Sequence, residues 1–260
     1  MNHGRKIVLM FFLTFMTLTD AYPQAGRESQ ELRIDSLTQF YQANSAYKEG
    51  NYPKAIEIYE NIIQNGKVSG VVYYNLGNSF FKAGQLGKAI LNYERARRLI
   101  PRDSDLESNY FYAESLIKRY EETSQENILS RILRQYGDFF TLDEISIILF
   151  CLFSFVGVLF LAGIYSPPSK KAMGLINAVL SILFIFNLVQ FFGKLETQSS
   201  LAIVVKGYQA KFEPKEEATT YFELAEGWKV EILKIEGGWV KIKRQDEKIG
   251  WVKKEMVEKI

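Results

Sequence analysis

Histidine and cysteine chemistry is closed to nearly all of this chain. The only histidine is His3 and the only cysteine is Cys151, which lies inside an apolar run. No Ser-His-Asp or Cys-His arrangement can be assembled from these, nor the usual zinc site. No disulfide can form within the chain. Carboxylate and lysine chemistry stays open, but no catalytic motif accompanies it, and no cofactor is implied. What does recur is a set of polar, aromatic and small residues at one interval. Asn44 and Asn78, Ser45 and Ser79, Lys48 and Lys82, Gly50 and Gly84, Ala55 and Ala89, Ile56 and Ile90, and Tyr59 and Tyr93 are each 34 residues apart. Side chains of these kinds hydrogen-bond, stack and pack, so the chemistry on offer is binding.

The interval points to the elements that must hold these residues. A repeat of 34 residues is the length of a helix–turn–helix unit. Gly50 and Gly84 sit where a first helix ends and a left-handed residue is wanted. Ala55 and Ala89 are small where the second helix approaches the first. Tyr59 and Tyr93, four residues on, share that face and fill the gap. The run Tyr73, Leu76, Gly77, Phe80, Gly84, Ala89, Tyr93, Ala96, Pro101 resembles the tetratricopeptide repeat, and 36–69 is a weaker copy of 70–103. The segment after Arg102 carries Leu106, Tyr110, Ala113 and Ile117 at helical spacing, with Ser104 or Asp105 as its cap. It reads as a capping helix that completes a repeat domain over 36–122. The resemblance implies that the first helix of each unit lines a concave groove. It places Phe40, Asn44, Tyr47 and Lys48 of one unit and Tyr74, Asn78, Phe81 and Lys82 of the next toward a partner, a mix suited to covering an apolar segment while pairing its backbone. Asn44 and Asn75 match clamp positions that grip a peptide carboxylate in some members. Phe40 and Asp105 stand where those members carry Lys, which argues against that ligand.

Three apolar runs remain. The first, after Arg5 and Lys6, ends in small residues at Thr19 and Ala21 and reads as a secretory signal peptide over 1–21, with a linker over 22–35. The other two, 145–165 and 172–193, carry no charge and are long enough to span a bilayer, for which ~20 residues suffice. Pro167 and Pro168 break the helix between them. Gly174, Ala178 and Ser181 offer a small-residue face that either lets the two helices pack closely or is incidental. Lys170 and Lys171 in the connection, against Asp138, Asp143 and Glu144 before the first span, place the connection in the cytoplasm and both flanks outside. In the juxtamembrane segment, 123–144, Ile128, Leu129, Ile132, Leu133 and Tyr136 share one face, and Arg131, Arg134 and Gln135 the other. That pattern fits a helix on the membrane surface or one packed on the repeats.

From Leu201 to Ile260 the hydrophobic period becomes two, with Gly turns, as in a small barrel. Trp239, Gly250 and Trp251 carry a resemblance to the bacterial SH3-like domain. The fold expected is therefore multidomain: α-helical tetratricopeptide repeats, two transmembrane helices, and a small all-β SH3-like barrel. Charge is balanced, with 15 basic and 15 acidic residues over 27–138 and 12 and 11 over 206–260, which leaves no basic footprint for nucleic acid. The order of parts resembles the BatE-type proteins of the Bacteroides aerotolerance group. That resemblance implies a non-enzymatic adaptor in the bacterial inner membrane. It would be multi-pass, with both soluble domains periplasmic, beside von Willebrand factor A-type membrane proteins and the lipid bilayer. The alternative is a cell-wall sensor that binds peptidoglycan through its SH3-like domain.

Overall fold

The computed structural model describes residues 22–117, 128–165 and 170–260. The expected signal peptide lies outside these, as do 118–127 and the two-proline connection. The chain divides into two compact units after Val68.

The first unit holds helices α1 (Tyr22–Lys48) and α2 (Tyr52–Gln64). The stretch 22–35, expected as a linker, forms the start of α1. The helix stops at Gly50, whose φ of 78° is left-handed. There the N–H groups of Gly50 and Asn51 return to the carbonyls of Tyr47 and Ala46 at 3.0 and 2.8 Å, satisfying acceptors that a helix end leaves open. The Asn51 side chain then caps α2 by accepting from the Lys54 N–H at 3.3 Å. Ala43, Ala46 and Ala55 are buried, which lets the helix backbones approach, and Tyr59 and Ile62 fill the seam.

The second unit opens with the same grammar. α3 (Gly70–Lys82) closes at Gly84 with φ 76°, and α4 (Leu86–Leu99) follows. Ala89 and Tyr93 of α4 pack on Gly77 of α3. α5 (Ser104–Ser115) buries Leu106, Tyr110 and Ala113. Its cap is Asp103, which accepts from the Leu106 N–H at 2.9 Å, and not Ser104 or Asp105 as the sequence suggested.

α6 (Ile128–Phe139) leads to two long apolar helices, α7 (Leu142–Tyr165) and α8 (Lys170–Ser200). Both are long and apolar enough to cross a membrane, and their side chains are mostly exposed. At 1.5 Å per residue α8 measures ~46 Å, more than the ~30 Å of a hydrocarbon layer. It therefore outruns the apolar stretch and passes straight into the first strand. Among the described residues no atom lies within 4 Å of where a Gly174 Cβ would stand, and Ala178 and Ser181 are exposed. Among the described residues the small-residue face makes no close seam between these helices.

The tail forms one antiparallel sheet in the order β3 (Thr220–Leu224), β2 (Tyr208–Lys211), β6 (Ile249–Lys253), β5 (Trp239–Lys243), β4 (Lys229–Glu236), β1 (Leu201–Val204), β7 (Val257–Lys259). Its inward residues, among them Val204, Phe222, Val230, Ile242 and Val252, bury one another in a single core. The expected barrel is corrected here: β3 pairs only with β2 and β7 only with β1, so the sheet is open. β7 is only three residues long, and its edge meets a helix in place of a strand. The Arg95 guanidinium of α4 donates to the Lys259 carbonyl at 2.6 Å and to Glu258 at 2.9 Å. Covering an edge with a charged helix in this way removes the need for closure.

α4 is buried on nearly all sides, because α3, α5 and the sheet each take a face. At its start Gly87 sits against the Val204 carbonyl and the Val205 backbone. A Cβ there would stand 2.6 Å from the Val204 oxygen, so the site admits only glycine. The Gly87 N–H donates to Glu226 at 2.7 Å. Arg98 reaches the carbonyls of Ile260 and Gln198 at 2.7 and 3.3 Å. One turn further on, Arg102 makes a two-armed bridge to Glu144 at 2.5 and 3.0 Å and donates to the Phe139 carbonyl at 3.0 Å. The second repeat is thus bolted to the sheet and to the base of α7.

Candidate functional site

In the first unit, Asn44 faces α2 from α1. Its Oδ1 accepts from the Tyr59 hydroxyl at 2.6 Å. Phe40 packs edge-on against the Tyr59 ring at 6.2 Å, and Tyr47 against Tyr52 at 5.5 Å. Lys48 is exposed at the last position of α1, where a cation suits the negative end of the helix dipole.

The second unit repeats that bond. Asn78 Oδ1 accepts from the Tyr93 hydroxyl at 2.7 Å, and also from Asn109 Nδ2 at 3.0 Å. Asn109 donates as well to the Tyr74 hydroxyl at 2.8 Å. Tyr74, Asn78, Tyr93 and Asn109 therefore form one polar cluster joining α3, α4 and α5. Beside it the Phe81 ring lies 5.7 Å from that of Tyr112, with Tyr112 more than half exposed. Lys82 is exposed at the end of α3. The face that α3 and α5 share carries ring surfaces, amides and an ammonium group. Among the described residues no group of three or more His, Cys, Asp or Glu is placed to hold a metal ion.

The sequence reading assigned the recurring asparagines to a ligand. The structure gives each of them a clasping role first, because the oxygen of Asn44 or Asn78 is engaged by the tyrosine of the following helix. Asn109 and Tyr112 were not singled out. A signal for both existed: they stand 34 residues after Asn75 and Asn78, on the helix read only as a cap.

Behind the cluster lies a buried carboxylate. Glu94 Oε1 receives the Lys229 ammonium at 2.6 Å, the Tyr110 hydroxyl at 2.6 Å and Arg97 at 3.7 Å. Burial alone would raise its pKa. The charges of Lys229 and Arg97, with the hydrogen bonds from Lys229 and Tyr110, outweigh burial and hold it below the ordinary value. Burial and the neighbouring Glu94 charge push the Tyr110 hydroxyl up. Arg97 also pairs with Glu107 of α5 at 2.5 Å.

On the sheet an open cleft of about 700 Å³ is lined in part by Gly238, Trp239, Lys253 and Glu255. Trp251 lies elsewhere, beneath the Lys241 ammonium at 5.9 Å, and Gly250 lets β6 approach Ala210 and Phe222.

A tetratricopeptide repeat family model matches residues 71–103, and a second matches 38–65. The chain carries two tetratricopeptide repeats. Repeats of this kind stack into curved surfaces that hold other proteins. No curated protein is similar to the chain at a meaningful level.

Proposed function

We propose that the protein is a membrane-anchored scaffold of the bacterial envelope whose repeats take an apolar, extended or helical segment of a partner protein. The observation that carries this reading is the face shared by α3 and α5. Tyr112 presents exposed ring surface, with the half-buried Phe81 ring against it, beside amides already fixed in orientation by the Tyr74–Asn109–Asn78–Tyr93 cluster. Oriented amides and rings match a segment that must bury side chains and pair its backbone. Phe40, Asn44, Tyr47 and Lys48 offer the first repeat a like set of rings, amide and ammonium group. In this reading the helices α7 and α8 cross the inner membrane, both soluble parts are periplasmic, and the signal peptide directs export. The resemblance to BatE-type proteins supports partners of the von Willebrand factor A type and a role in aerotolerance.

The experiment is co-purification of partners from membranes with a Phe81→Ala, Tyr112→Ala variant, folding being checked by circular dichroism. Neither side chain belongs to the polar cluster, so the fold is kept. Loss of two aromatic anchors costs about 2 kcal/mol or more in binding, and partners should be lost. Retained partners would overturn the reading. The cleft beside Trp239 favours a second reading, a cell-wall ligand held by the tail, whose resemblance to SH3-like domains points the same way. In that case Trp239→Ala, and not the groove variant, abolishes binding to purified peptidoglycan.

A further inference from the structure

The juxtamembrane helix α6 is anchored along the flank of α8. The Tyr136 hydroxyl donates to Asn187 Oδ1 at 2.7 Å, and its ring lies 5.0 Å from that of Phe186. Asn187 is a buried polar residue in the middle of an apolar run, and it is satisfied by Tyr136 together with the Leu183 carbonyl at 2.9 Å. Nearer the end of α8, Lys194 donates to the Gly137 carbonyl at 2.6 Å and to that of Phe140. These contacts set a depth. Asn187 precedes Lys194 by seven residues, about 10 Å along a helix. If Lys194 marks the edge of the apolar layer, Tyr136 lies well inside it.

Around α6 three faces follow in order. Tyr136 turns toward α8. Next come Ile128, Ile132 and Phe139, which are 75%, 56% and 52% exposed and fall within about 40° of arc, with the Arg102 guanidinium over one face of the Phe139 ring at 5.1 Å. Beyond them lie Arg131 and Asp138, both exposed. The open apolar stripe therefore adjoins the face resting on α8, and the charges point away. Whatever surrounds α8 meets the stripe first.

We propose that α6 is embedded in the outer leaflet, with Ile128, Ile132 and Phe139 seated against lipid acyl chains and Arg131 and Asp138 at the headgroup boundary. The proposal rests on reading α7 and α8 as membrane spans. An embedded helix of this kind fixes the height and rotation of the second repeat above the bilayer, which a flexible tether does not.

The test uses the full chain with Cys151→Ser in nanodiscs of phosphatidylcholine and phosphatidylglycerol. Spin labels are placed through Ile132→Cys, Phe139→Cys and Arg131→Cys, with Phe153→Cys of α7 and Thr219→Cys of the sheet as references. Dissolved oxygen should relax the labels at 132, 139 and 153 more than a water-soluble nickel chelate does, and the order should reverse at 131 and 219. A label at 153 that behaves as lipid-facing while 132 and 139 behave as water-facing, or as shielded from both reagents, overturns the proposal and leaves the spans standing. Water-facing behaviour at 153 overturns both.

Discussion

Each repeat is locked by a hydroxyl donated to an amide. Tyr59 to Asn44 and Tyr93 to Asn78 are the same bond made twice, across the same turn. A buried hydrogen bond of this type contributes about 1 kcal/mol. A double-mutant cycle of Tyr93→Phe and Asn78→Ala, read by thermal unfolding of the detergent-solubilised chain, should return a coupling of that size. No coupling would mean that the two groups are merely adjacent. Gly77 is the steric counterpart. A Cβ there would stand 2.6 Å from the Tyr93 ring, whereas one at Gly174 meets none of the described residues. Gly77→Ala should destabilise by ~1–3 kcal/mol, and Gly174→Ala should leave unfolding unchanged. The sequence made the recurrence of Asn and of Tyr visible but not the bond between them. Fifteen residues and a turn separate the partners, and only antiparallel packing of the two helices brings them together.

At the scale of the element, α4 decides how the parts join. Its Glu94 is ionised at neutral pH in a buried site, held by Lys229 of the sheet. Because its pKa is lowered on folding, its contribution is complete above the ordinary 4.5 and is lost as the pH falls through and below that value. Thermal stability of the native chain should therefore drop on acidification from about pH 6 to about pH 3. Glu94→Gln should cost roughly 3 kcal/mol at neutral pH, since it leaves Lys229 without its counter-charge and Arg97 with Glu107 alone. It should also respond less to acid. An identical pH profile for both proteins would show that Glu94 does not govern the joint. The strands of the tail were legible from their period of two, and the repeats from their period of 34. The open edge of the sheet was not, because it depends on Arg95 arriving from a helix more than 160 positions away. Nor was the all-round burial of α4: a 34-residue register reports which faces meet inside a repeat and is silent on what covers the outside.

For the whole molecule, the contacts of α4 with β1, β4 and β7 constrain any membrane placement. A chain that crosses twice returns to the side it started from, and the second repeat and the sheet must share that side to touch. In a Cys151→Ser background, Ser169→Cys, between the two apolar helices, should resist an impermeant thiol reagent in intact spheroplasts. Ser104→Cys and Thr219→Cys should react. Labelling at 169 alone would invert the arrangement. The same contacts change what removal of 201–260 is expected to do. It strips the cover from α4, so the repeat loses stability together with any ligand of the sheet, and the two losses must be measured separately.

The joint between Gly87 and Glu226 spans 139 positions of chain, and the two apolar helices lie between them. During synthesis at ~5–20 residues per second, the far side of that joint emerges roughly seven to twenty-eight seconds after the near side. Throughout that interval Glu94 has neither Lys229 nor the sheet, and the second repeat waits half-finished. On the proposed reading of α7 and α8 as membrane spans, completion of the second repeat is timed by their insertion. A chaperone or protease would meet its substrate in that window, at the bare face of α4.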